Sequence, residues 1–140
     1  MEKNSGVYQF VFRMKKDAKI VIGALGTYMV PAAYYVYSGT AQRGLRQRIA
    51  RHASKDKPKK WHIDYLTCHP AAEPVAAFYL TGVPGEAECD LAIRAIVNAD
   101  FLLPGVGISD CRYCPSHICG FFGSGPSESI FSGLEKLNLS

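Results

Sequence analysis

Residues 6–14 (Gly-Val-Tyr-Gln-Phe-Val-Phe-Arg-Met) are rich in aromatic and β-branched positions and predict a first strand. A lysine-rich turn over residues 15–19 leads into a second strand around 19–22, and Gly23 and Gly26 punctuate the next stretch. Residues 32–37 predict a third strand that Gly39 ends. The pattern then changes period. Leu45, Ile49, His52 and Ala53 recur at i, i+4, i+7 and i+8, the apolar stripe of a helix over 42–54. Arg48 lies on the margin of that stripe, while Arg43, Arg46 and Arg51 point away to solvent.

Further on, Trp61-His62-Ile63-Asp64-Tyr65-Leu66 alternates as a strand or short helical turn would, and 74–81 reads as a strand. Pro84-Gly85 introduces a helix over 86–98. A loop over 101–109 precedes a last strand over 118–122. Residues 123–129 read as a linker, and the remainder as a short tail helix or frayed end. The expectation is one α/β (α+β) domain over 1–122 and a Gly/Ser-rich linker and tail over 123–140.

Composition narrows the class. A chain of 140 residues with 48% hydrophobic and 20% charged side chains holds one domain with a real core. No apolar run is long enough to span a bilayer, and Met1-Glu2-Lys3-Asn4-Ser5 lacks the apolar core of a signal peptide. Five cysteines (68, 89, 111, 114 and 119) without that signal predict reduced thiols and a cytoplasmic protein, with no membrane partner.

The net charge of +4 is unevenly spread, because half of the 16 basic side chains fall between Arg43 and Lys60. Those eight are Arg43, Arg46, Arg48, Arg51, Lys55, Lys57, Lys59 and Lys60, with Asp56 the one acid among them. Such a run is a solvated face or a phosphate-backbone contact; the imbalance favours nucleic acid, without separating DNA from RNA.

The chemistry concentrates in Tyr35-Val36-Tyr37-Ser38-Gly39-Thr40-Ala41, followed by Leu45, Arg48 and His52. With Gly6-Val7-Tyr8 upstream, the chain resembles the GIY-YIG nuclease superfamily, and within it a small prokaryotic branch. Arg51-His52, the Trp61–Leu66 segment, Glu88-Cys89 and Ser109-Asp110-Cys111 carry the branch resemblance, which runs from about residue 6 to residue 122. Branch members are sometimes joined to DNA-repair glycosylase domains, so the resemblance implies DNA rather than RNA and a DNA-repair partner.

That resemblance implies a compact fold with a small antiparallel sheet flanked by helices. It also implies endonuclease-like hydrolysis of a nucleic-acid phosphodiester with one divalent cation, Mg²⁺ or Mn²⁺. Tyr8 and Tyr37 take the two tyrosine slots, Arg48 the helix arginine slot, and Glu88 the metal-binding carboxylate. The chemistry suits these roles. A tyrosine relays a proton from the attacking water, a guanidinium offsets charge on the phosphorane, and a carboxylate is a hard ligand.

Each candidate has a plainer reading. A single strand tyrosine usually packs, Arg48 can bridge Asp64 or Glu88, and Glu88 can merely complement a helix dipole. Glu86 competes with Glu88 for the acidic role. His52 is placed to contact phosphate or carry a proton. His62 and Asp64 form a further candidate pair that would share one side of a strand. Trp61 and Tyr65 can stack on a base, although packing is the ordinary role of a lone tryptophan.

Cys111-x-x-Cys114-x-x-His117-x-Cys119 offers a zinc set, but four ligands within nine residues are tight for one closed site, so reduced thiols in a structured loop are favoured. Departures from the superfamily pattern also count. The two tyrosine motifs stand further apart, implying an inserted hairpin around 23–31. No asparagine follows Pro104; Ser109 or Asp110 is the nearest substitute. The alternative is therefore a nucleic-acid-binding module that keeps the fold without catalysis.

Overall fold

Eight strands and three helices succeed one another along the described residues: β1 (Gly6–Met14), β2 (Ala18–Val21), β3 (Thr27–Val30), β4 (Ala33–Ala41), α1 (Leu45–Ala53), α2 (His62–Thr67), β5 (Ala72–Thr81), α3 (Ala87–Asn98), β6 (Phe101–Leu102), β7 (Ile118–Phe121) and β8 (Glu135–Asn138). The structure is a computed structural model and describes residues 4–106 and 114–139. Six strands form one antiparallel sheet in the order β6-β7-β4-β1-β5-β8, while β2 and β3 pair as a separate hairpin. The fold is mixed α/β, as the alternation of periods predicts.

β1 is the central pairing strand, with β4 on one side and β5 on the other. Tyr8 lies opposite Gly39, Phe10 opposite Tyr37 and Phe12 opposite Tyr35. Toward β5 the register shifts between Val11 and Phe12, beside Pro74, which has no N–H to give a ladder. Alternation along β1 then divides the core. Tyr8, Phe10, Phe12 and Met14 pack on one face with Leu45, Ile49, Ile63 and Leu66 of α1 and α2. On the other, Val11 joins Val36, Phe78, Ala95 of α3 and Phe131. Helices thus cover both sides of the sheet.

Several expectations need correction. β4 does not end at Gly39 but continues to Ala41, which keeps Thr40 in the ladder opposite Val7. The ambiguous 61–66 segment is helical, because the Asp64 carboxylate accepts the N–H groups of Lys60 and Trp61 at the helix start (2.8 and 2.9 Å). The expected linker and tail belong to the folded body. Ile130 and Phe131 are buried, Phe131 stacks on Phe78 at 3.8 Å, and β8 pairs with β5. The physical reason is the outer edge of β5, whose unpaired backbone and apolar Phe78 require a cover. The hairpin expected around 23–31 instead pairs β2 (Ala18–Val21) with β3 (Thr27–Val30), so its first strand lies before that stretch. Among the described residues no helix is long and apolar enough to cross a membrane.

Candidate active site

At the end of the sheet where β1 begins, the two tyrosine motifs lie on adjacent strands. Tyr8 and Tyr37 have ring centroids 6.3 Å apart. Gly39 makes the arrangement possible: a Cβ there would lie 2.5 Å from the Tyr8 hydroxyl oxygen, so any side chain would displace that ring. α1 lays His52 against the pair, with its Nε2 2.7 Å from the Tyr8 oxygen and its ring edge-on to Tyr37. Burial, aided by Lys57, pushes His52 down to about 3, so the imidazole is neutral near neutral pH. Burial also raises Tyr8 and Tyr37 well above the usual phenol range, with Tyr37 adding to the effect on Tyr8 and Glu88 to that on Tyr37. Arg48 opposes the shift at both phenols, so both keep their protons while the cation favours the phenolate.

Arg48 is half-buried, as its marginal place on the helix predicts. Its Nη1 donates to the Thr40 carbonyl at 3.2 Å, and the guanidinium lies over the Trp61 ring at 4.7 Å. The Thr40 hydroxyl, in turn, donates to Glu88 Oε1 in a short bond. One β4 residue therefore joins the arginine of α1 to the carboxylate of α3. The second Glu88 oxygen lies 2.5 Å from His117 Nδ1. Glu86, the competing acid, is an exposed residue at the helix start.

Thr40 was not legible as a site residue, and His117 was legible only as a zinc candidate, not as a neighbour of Glu88. Thr40 has a partial signal, standing directly after the motif glycine, whereas His117 has none beyond the cysteine spacing around it.

Only part of the basic run is turned inward. Arg51 forms a two-pronged pair with Asp64, at 2.9 and 3.0 Å, and donates to the Pro58 carbonyl. It does not project freely to solvent as the helix wheel predicts, because α2 packs beside that face. Lys57 has only 4% of its side chain exposed and donates to the carbonyls of Arg51 and His52 and to the Thr67 hydroxyl. Lys55 bonds the carbonyls of His69 and Ala72. Burial lowers both lysines. Arg43, Arg46, Lys59 and Lys60 remain exposed.

Asp64 and His62 do not share a side, since the segment is helical. Asp64 is fully buried against Arg51 while His62 is partly exposed. Burial pushes Asp64 up, but the bonds from Arg51 and from the Trp61 and Lys60 N–H groups outweigh it and hold the carboxyl below its ordinary range. Ser109, Asp110 and Cys111 lie outside the described residues.

The proposed zinc run is also rearranged. Cys119 sits in β7 within the apolar cluster of Val36 and Phe121, where burial pushes its thiol up to about 12. Cys114 and His117 instead gather with Cys89 of α3. For a divalent cation of the Mg²⁺ type, Glu88 fits as one ligand. Its side chain is 20% exposed, and its carboxylate offers hard oxygens with acceptor capacity beyond the single neighbour on each.

Fold and site together define a mixed α/β domain with a buried tyrosine–histidine pair and a braced carboxylate. The chain belongs to the family described as Domain of unknown function DUF123, whose family model matches residues 7–138. No curated protein and no solved structure matches it. The matched span includes Tyr8, Thr40, Arg48, His52, Glu88 and His117, and also β8.

Proposed function

We propose that this protein is a divalent-cation-dependent phosphodiester hydrolase of the GIY-YIG type, acting as an endonuclease on DNA. The observation that carries the reading is the chain Arg48–Thr40–Glu88 beside the Tyr8–His52 pair. It joins a phosphate-binding cation, a carboxylate and a hydroxyl of controlled protonation at one end of the sheet.

In the tautomer with Nε2 bare, the Tyr8 hydroxyl donates to His52, which leaves its oxygen lone pairs for an attacking water. Neutral His52 holds that orientation without adding a second positive charge. Arg48 spends donors on the Thr40 carbonyl and on the Tyr8 oxygen and keeps the rest of its fork for the non-bridging phosphate oxygens. Trp61 stacks on the guanidinium and limits its rotation. Glu88, braced by Thr40 and His117, would hold the Mg²⁺ or Mn²⁺ ion; when bound, that ion supplies charge neutralisation at the scissile phosphate and lowers the pKa of a coordinated water. Exposed Arg43, Arg46, Lys59 and Lys60 supply the backbone contacts.

A second reading, a DNA-binding module without catalysis, is favoured by two observations. No asparagine follows Pro104, and both Glu88 oxygens are already engaged within the chain. Cleavage of supercoiled, branched and single-stranded DNA, and of RNA, with Mg²⁺ or Mn²⁺ separates the two. The nuclease reading expects metal-dependent cleavage that Glu88→Gln abolishes and that Arg48→Ala slows by about 10²–10³-fold. Salt-sensitive binding without cleavage selects the binding module.

A further inference from the structure

We propose that Cys89, Cys114 and His117 form a site for a thiolate-preferring divalent metal, with zinc the expected ion. Their ligating atoms all lie within 4.8 Å of one another. Donors around a tetrahedral zinc stand roughly 3.5–3.8 Å apart, so binding draws any pair together by about 1.3 Å at most. Two thiolates and an imidazole suit zinc and discriminate against Mg²⁺ and Ca²⁺, which take oxygen ligands. Cys114 and His117 are buried and Cys89 is half-buried, so the ion would be largely shielded from water. Three protein ligands leave one position on the tetrahedral shell for a further group.

This set is not the compact cysteine run of the sequence. Cys89 comes from the first turn of α3, Cys114 and His117 from the segment entering β7, and Cys119 is left in the apolar cluster. A metal here ties α3 to the sheet at the point where Glu88 meets Thr40. His117 also carries the carboxylate partner that metal-bound histidines usually have: Glu88 Oε2 is 2.5 Å from Nδ1. The metal would thereby fix the ring, and the ring would fix Glu88. This inference stands whether or not the protein cleaves nucleic acid.

The test uses the full chain and zinc alone. Chelator-free protein is assayed for metal by mass spectrometry. Cysteine alkylation by iodoacetamide is then mapped residue by residue, after metal removal and with zinc restored. The expected result is one zinc per chain. With zinc at about ten times its Kd, alkylation of Cys89 and Cys114 slows roughly tenfold, while half-buried Cys68 is unchanged. Cys89→Ser loses the metal and Cys119→Ser keeps it. Alkylation of Cys89 indifferent to zinc overturns the site, as does a Cys89→Ser variant that binds zinc like the parent. Protection of Cys119 in place of Cys89 moves the ion into the cysteine run and equally overturns it. Because protection is read on the unaltered chain, a variant that fails to fold leaves the test intact.

Discussion

Asp64 and Glu88 each stand in the first turn of a helix beside a nitrogen partner, yet the two carboxylates are built differently. Asp64 is fully buried. Arg51 grips both its oxygens, Lys57 stands 3.9 Å away, and two backbone N–H groups complete its shell. Glu88 is partly exposed and is met by a hydroxyl and an imidazole, with no lysine or arginine in ion-pair contact among the described residues. A carboxylate saturated by cations inside the protein is committed to the fold. One oriented by neutral or titratable neighbours, and open on one side, remains available for a ligand. Helix position and charge are common to both; the surrounding donors distinguish them.

The largest effect that would break this comparison is on stability. Removing Asp64 leaves Arg51 and buried Lys57 facing an empty place, so Asp64→Ala is expected to cost about 3–5 kcal/mol. Glu88→Gln keeps an acceptor for Thr40 and is expected to cost about 1 kcal/mol or less. Urea denaturation of both variants checks the difference. Equal losses would mean that Glu88, too, is a structural carboxylate.

The buried side also carries a pH signature. His52 is held neutral in the fold and titrates near 6.5 when unfolded, against about 3 when folded. Below 6.5 the unfolded chain binds a proton that the folded chain refuses. The His52 contribution is therefore complete above 6.5, is lost progressively as pH falls toward 3, and amounts to a few kcal/mol. Asp64 behaves alike at lower pH: its contribution is present above the unfolded carboxyl pKa of about 3.9 and disappears as pH falls through its depressed folded value. His69, lowered by burial and by Lys16 and Lys55, adds a slope of the same sign. The difference between the parent and His52→Gln isolates His52. A difference that stays constant between pH 6.5 and 4.5 would show that His52 is not a buried neutral group.

How much was legible in the sequence depends on the range of the forces involved. β1 and the helix stripe of α1 are set by local alternation; the bounds of β1 can be read directly, whereas α1 begins at Leu45 rather than 42, after Gly44 in left-handed backbone. Tyr8, Tyr37, Arg48 and Glu88 were candidates from motif order, and the fold draws them to one end of the sheet. The fate of Arg51 was not legible, because a helix wheel describes α1 alone and carries no information about α2 packing beside it. The contact between Asp64 and Arg51 spans 13 residues and has no periodic signature. The closing segment misled for a similar reason. Its Gly and Ser content imitates a linker, while Phe131 finds Phe78 only once β5 is in place. Cys89 lies 25 positions before Cys114, so ligand spacing could not link them.

The smallest effect separates the two kinds of basic residue that share one charge run. Lys59 and Lys60 are exposed, and their ammonium groups stand over Tyr65 and Trp61 at 5.9 and 5.0 Å. Lys57 lies between helix carbonyls and a threonine hydroxyl. If the exposed pair contacts phosphates, replacing both with alanine lowers the slope of log affinity against log salt by about 1.8, because each phosphate contact releases roughly 0.9 counterion. Lys57→Ala leaves that slope unchanged and lowers folding stability instead, since it strips a donor from buried carbonyls. Titration of a short DNA duplex over a range of salt concentrations reads the slope directly. A slope that moves with Lys57 and not with Lys59 and Lys60 would reverse the division between structural and ligand-facing charges around Asp64.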